Sequence, residues 1–345
     1  MYIKQFSKEE QNTIKLPGID LLAADLEAFD KELRKQRDGL EELGVLHKIL
    51  AHLMDAGGKR LRPIVVLLGS RALEISKKKA INIACAAEWI HSASLFHDDV
   101  VDRAETRRNV TASHLIWGNT FAVLGGDYCL SMALDRIEKT AESRAFSSIN
   151  KTVRAMIVSE LVQLKQKTNP SLSIETYYRI IEGKTASLMS WCSSCAEIGD
   201  PTLTKCLSAF GHQLGLAFQI TDDVLDMSGD ETQLGKSVGQ DLKEGNLTLP
   251  VILAARQNPK IEKLIRQFKE KAEHETGSTQ TKTQHTLKPT EKISQMVQET
   301  DAIDHSMKRA KEHSRKAKSE LAALPQTPWR SQLLEIADFA VSRKR

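Results

Sequence analysis

Two five-residue stretches repeat one pattern: Asp98-Asp99-Val100-Val101-Asp102 and Asp222-Asp223-Val224-Leu225-Asp226. Each closes a long, proline-free apolar run, Ile81 to Phe96 in the first case and Leu203 to Ile220 in the second. Such runs, rich in Ala, Leu and Ile, read as helix. On a helix, positions four apart share a face, so Asp98 points with Asp102 and Asp222 with Asp226. Paired carboxylates repel, and the dipole at a helix C-terminus opposes them as well. A chain that accepts both penalties twice has cations to place there. A few hard oxygen ligands, with room left for water and phosphate, suit Mg²⁺. A solvated acidic helix end is the plainer alternative, and the residues upstream argue against it. Counting back by three and four from Asp98 gives Leu95, His91 and Glu88; from Asp222 it gives Gln219, Gly215 and His212. Polar stripes on apolar helices line cavities, because a buried polar group without a partner is costly.

Cations flank these motifs. Gly57-Gly58-Lys59-Arg60-Leu61-Arg62-Pro63 is a turn whose backbone allows close approach, with Lys and Arg aimed at what approaches. Arg107-Arg108 follow the first motif, and Arg suits bidentate capture of phosphate. Gly183-Lys184-Thr185 lies inside a helical stretch, so it is not a nucleotide-cradling loop. The glycine-punctuated segment Gly235-Lys236 to Gly245-Asn246 has the composition of a flap that closes on a site.

The elements that must position these groups are helical throughout. The chain has 345 residues, 41% hydrophobic and only 5% aromatic, with little β-branched alternation. That supports one large all-α domain over 1–345. Residues 274–289 read as a flexible polar insertion. With 49 basic and 45 acidic residues the net charge is +4, too balanced for a nucleic-acid binder. The N-terminus does not read as a signal peptide, and no apolar run reaches the about 20 residues that span a bilayer. A cytoplasmic protein is expected, with any membrane contact peripheral, as at product release. Of five cysteines, Cys192 and Cys195 have C-x-x-C spacing, but their helical context reads as core rather than redox chemistry.

Taken in order, these motifs resemble the trans-isoprenyl diphosphate synthases, the polyprenyl synthetase family. The resemblance rests on GGKRLRP at 57–63, the first Asp-rich motif with Arg107-Arg108, GKT at 183–185, FQITDDVLD at 218–226 and the flap at 235–242, and it extends to Arg345. The C-terminal segment is most like long-chain bacterial members of octaprenyl type, which make quinone side chains. The resemblance implies a helical bundle around a central catalytic cavity, usually a homodimer, and Mg²⁺-dependent head-to-tail condensation of isopentenyl diphosphate with an allylic diphosphate. It implies that Lys59, Arg62, His91 and Arg108 hold isopentenyl diphosphate. Arg107, Lys184, Thr185, Gln219 and Lys236 would serve the allylic diphosphate. Asp98, Asp102, Asp222 and Asp226 would bind metal, and Asp98, Asp102, Lys184 and Asp222 would carry catalysis. One departure is Asn246, where many members have Lys; Lys243 is a candidate replacement.

Product length follows from tunnel depth. Ser94 and Ala93 lie about one turn, or 5.4 Å, beneath Asp98. Both are small, so the tail is expected to pass them and exceed farnesyl length. Trp89, four residues before Ala93, is the next large residue on that side, and the sequence leaves open whether it blocks the tunnel or packs outside it. A geranylgeranyl diphosphate synthase is the nearer alternative. A non-catalytic partner subunit of a heteromeric synthase, and a terpene cyclase, are more distant ones.

Overall fold

The computed structural model describes residues 16–168, 172–228, 239–275 and 287–343, and they are helical almost throughout. The order is α1 (Ala23–Asp38), α2 (Val45–Asp55), α3 (Leu61–Ala72), α4 (Lys77–Val101), α5 (Ser113–Trp117), α6 (Asn119–Glu138), α7 (Ser143–Thr168), α8 (Ile174–Ile181), α9 (Ser187–Ser193) and α10 (Pro201–Ser228). Beyond these come α11 (Gln240–Lys243), α12 (Leu249–Gln257), α13 (Pro259–Glu275), α14 (Leu287–Gln298), α15 (Ala302–Glu320) and α16 (Pro328–Ser342). Most of the expected 274–289 insertion, residues 276–286, lies outside the described residues.

The expected all-α bundle is the observed one. α10 is its spine: Leu207, Phe210 and Leu214 enter a core shared with α1–α4, α6 and α9. Further along, Leu216, Ile220 and Met227 enter a second core built with α8 and α12–α15. α4 packs on α3 and α6, while α10 packs on α9 and α15. Full burial of each such Leu, Ile or Phe contributes about 1.5–3 kcal/mol before entropy is counted. Both acidic motifs sit at the ends of α4 and α10, two long, extensively packed helices.

Three local features refine the sequence reading. Pro63 to Leu68, the most strand-like stretch, lies inside α3, because Pro63 occupies the first turn, where a missing N–H costs little. The loop holding Arg107 and Arg108 folds back as a two-residue antiparallel ladder, with Arg107 opposite Val110 and both Arg108 and Asn109 at positive φ. The helix opened by Ser173, whose hydroxyl accepts from the N–H of Thr176, is interrupted at Glu182–Ala186 by one turn of π-helix.

Candidate active site

The π turn organises the site. Gly183 makes it possible: a Cβ there would lie 2.6 Å from the Ser159 Cβ and 2.7 Å from the Ala155 carbonyl, so α7 approaches closer than any side chain allows. The wider turn changes the angle between successive side chains. Lys184 faces α4, while its neighbour Thr185 faces α10. The Lys184 ammonium sits 3.2 Å from Asp98 and donates to Glu160 of α7 at 2.7 Å. Thr185 donates its hydroxyl to the Gln219 carbonyl oxygen at 2.7 Å, and the Gln219 amide donates to Asp223 at 2.9 Å. Two adjacent residues thus tie both acidic motifs together.

In the first motif each carboxylate has its own cation. Asp102, at the C-cap of α4, receives the Lys167 ammonium from α7 at 2.5 Å. Asp99 points away from this pair and takes Arg107, whose Nε donates at 2.7 Å. Burial pushes Asp98 up to about 6 against the pull of Lys184. Burial works against the charge on Lys184 too, but Asp98 and Glu160 outweigh it and hold the ammonium firmly protonated.

In the second motif, Asp222 is the most open acid and pairs with Arg343 at 2.9 Å. That guanidinium lies 3.5 Å from the centre of the Phe218 ring and donates to the Phe218 carbonyl. Asp223 is buried, accepts the Tyr177 hydroxyl at 2.6 Å and is pushed up to about 7, chiefly by burial. Asp226 accepts the backbone N–H groups of Gln240 and Asp241, both at 3.2 Å, and so anchors the start of α11. Burial, then the charges of Asp226, Asp223, Glu244 and Asp222, pushes Asp241 well up.

Cations gather beneath α4. Arg62 Nε is buried without a hydrogen-bond partner, an orphan donor that an anion would satisfy. Burial, followed by Arg62, Arg108, Arg60 and Arg107, holds His91 well below its ordinary range, so its imidazole is neutral. Arg108 donates to the Gly57 carbonyl, and a Cβ at Gly58 would sit 3.0 Å from its guanidinium carbon. Lys59 is exposed at the same turn, and Arg60 pairs with Glu88 on the polar stripe of α4. Lys236 lies outside the described residues.

Among the described residues no three acidic or sulfur and nitrogen ligands form a ready metal cage. The donor chemistry nevertheless fits a divalent cation. The oxygens are hard, and burial raises the pKa of Asp98, Asp223 and Asp241, leaving negative charge that added positive charge would relieve. Asp98 and Asp102 are the best placed, each facing a lysine ammonium that a metal ion could replace.

The tunnel residues are distributed as follows. Ala93 is buried, and Ser94 turns its hydroxyl to the His91 carbonyl at 2.9 Å. Trp89 is buried and donates its indole N–H to Gln36 of α1 at 2.7 Å. Nine residues are two and a half turns, so Trp89 leaves α4 on the side opposite Asp98. Cys192 and Cys195 are buried free thiols, and burial pushes Cys195 up to about 12, as expected of core residues. The sequence reading missed Glu160, Lys167, Tyr177, Asp241 and Arg343. Glu160, Gln163 and Lys167 form a three-and-four stripe on α7 of the kind counted on α4 and α10. The same count applied to α7 would have found Glu160 and Lys167, but not Tyr177, Asp241 or Arg343.

A profile of the polyprenyl synthetase family matches residues 44–285. The chain belongs to the polyprenyl synthetase family. It is 32% identical over 330 residues to the octaprenyl diphosphate synthase of Escherichia coli (strain K12), covering 94% of this chain and 98% of that one. It is 35% identical over 323 residues to heptaprenyl diphosphate synthase component 2 of Bacillus subtilis (strain 168), covering 93% and 88%. A polyprenyl synthase from Caulobacter crescentus CB15, solved with calcium and isoprenyl diphosphate, superposes with a TM-score of 0.85 at 32% identity, over 96% of this chain and all of that one.

Proposed function

We propose that this chain condenses isopentenyl diphosphate with an allylic diphosphate, repeatedly, to a trans-polyprenyl diphosphate longer than farnesyl, of the kind that becomes a quinone side chain. The observation that carries this reading is the bridge of Lys184 and Thr185 between the two acidic motifs, with the orphan donor of Arg62 nearby. Mg²⁺, held by Asp98, Asp102 and Asp222, would when bound supply positive charge to the departing pyrophosphate. Asp226 would join them if the start of α11 yields its oxygens. Lys184 and the Arg107 N–H groups left over from Asp99 complete the allylic site with Thr185, Gln219 and Lys236. Lys59, Arg62, neutral His91 and Arg108 hold isopentenyl diphosphate by donating hydrogen bonds.

The reaction balances within this frame. The allylic C–O bond breaks and its electrons leave on pyrophosphate. The double bond of isopentenyl diphosphate attacks the carbocation, and a C–H proton is lost to a pyrophosphate oxygen. The helix walls keep water from the cation. Small Ala93 and Ser94, with Trp89 held against α1, favour a tail that continues past this level. A homodimer fits the apolar residues left exposed on α5–α7, among them Leu115, Phe121, Leu124, Phe146, Ile157 and Leu161. Among the described residues no helix is long and apolar enough to cross a membrane, in keeping with the cytoplasmic placement we favour.

The name of the Bacillus subtilis relative, a numbered component, favours a second reading, in which this chain turns over only beside a second polypeptide. One assay separates the readings. Purified chain is incubated with Mg²⁺, labelled isopentenyl diphosphate and farnesyl or geranylgeranyl diphosphate, and the dephosphorylated products are sized. Polyprenols beyond twenty carbons support the long-chain synthase. A stop at twenty carbons makes it a geranylgeranyl diphosphate synthase. No product from the chain alone moves the account to the two-component reading.

A further inference from the structure

The end of the flap has no cation of its own at position 246, yet the corner it closes holds one. The Lys167 ammonium, from the last turn of α7, lies 2.5 Å from Asp102. Gln163, one turn earlier on the same face, donates to the Asn246 side-chain oxygen at 3.0 Å. The flap lies directly on this lysine: a Cβ at Gly245 would touch the Lys167 stem at 3.7 Å. Glu244 lies in the electrostatic field of Asp102, Lys167 and Arg107 together. The side chain of Lys167 is only 17% exposed, so its charge is committed to this corner rather than to bulk water.

We infer that Lys167 is a diphosphate-binding residue of the allylic site, delivered by α7 in place of a flap cation at position 246. It neutralises Asp102 while the site is empty of substrate. With a divalent cation held by Asp102, the Lys167 ammonium would donate to a diphosphate oxygen at this corner. An ammonium on a long flexible stem suits such a transfer, because it binds as a point charge without fixed geometry. The same residue therefore competes with metal in one state and assists diphosphate in the other.

This rests on the proposed synthase activity, and wild-type turnover tests that separately. The test of Lys167 itself uses binding to the full chain by titration calorimetry, with Mg²⁺ alone and then inorganic pyrophosphate in excess Mg²⁺. In Lys167→Met, Mg²⁺ alone should bind several-fold tighter, while pyrophosphate should bind about tenfold weaker, the size of one charge-assisted hydrogen bond. Adding Asn246→Lys to that variant places an ammonium beside Gln163, one turn from the lost one, and should recover most of the pyrophosphate affinity. Wild-type affinities in Lys167→Met would overturn the inference. So would Mg²⁺ and pyrophosphate weakening together, or a double variant no better than the single one.

Discussion

Each carboxylate of the two motifs has a different partner, and the partners set its chemistry. Asp98 shares Lys184 with Glu160, Asp102 has Lys167, Asp222 has Arg343, and Asp223 has only neutral donors. Replacing Lys184 by Met leaves Asp98 and Glu160 side by side without their shared cation. Turnover should fall about hundredfold, as for loss of one preorganised electrostatic group, which steady-state kinetics would read. The pH response follows from burial. Asp98 and Asp223 ionise near 6 and 7 in the fold, against 3.8 for a free side chain. The folded chain therefore holds more protons than the unfolded one between those values, and the stability of the metal-free protein falls as pH rises from about 4 to about 7. Asp98 alone accounts for at most about 3 kcal/mol of this slope. Urea midpoints should be lower at neutral pH than near pH 5, and Mg²⁺ with pyrophosphate should flatten the difference. Midpoints that climb steadily across this range would contradict the assigned burial.

At the scale of elements, the π turn is the part that sequence patterning reads least well. Periodicity placed the helix from Ser173 onward and found Lys184 and Thr185 within it. It showed that the two point different ways but not which helix each meets, because partner choice and a one-residue change in winding leave no mark on composition. Gly183 is the trace it does leave. Gly183→Ala should push the turn off α7, lower stability by about 1–3 kcal/mol and depress turnover, although no substrate contact changes. Thermal melts and rates measured together would check this; a variant altered in neither would mean the contact is slack. α4 was read more fully: Asp98, Asp102, His91 and Glu88 share the predicted stripe, while Asp99 turns to Arg107. The side on which Trp89 leaves α4 follows from spacing, but its partner Gln36, 53 positions away in sequence, was not legible. Ala93 shares the face of α4 that carries Trp89, four residues apart; if that face lines the tunnel, Ala93→Tyr should shorten the product, and an unchanged product length would remove Ala93 from the tunnel wall.

For the whole molecule, the fold class was legible because little in the chain competes with helix: among the described residues the helical prolines fall in first turns, and the apolar runs are long. Ion pairs between distant helices were not legible, because charge composition says nothing of which partner a side chain reaches. Arg343 on Asp222 is the clearest case, joining the last helix to the second motif. The exposed apolar residues of α5–α7 make one further claim at this scale. Sedimentation should give a dimer, and Leu124→Asp with Leu161→Asp should give a monomer; a wild-type monomer would exclude that use of the face.

The central claim is that the two acidic motifs form one metal-dependent diphosphate site. Incorporation of labelled isopentenyl diphosphate, measured with Mg²⁺ for wild type, Asp98→Asn and Asp222→Asn side by side, tests it most directly. Both variants should lose about a thousandfold or more in turnover while melting as cooperatively as wild type. If either substituted chain elongates at near wild-type rate, the two motifs do not act as one site, and the account fails.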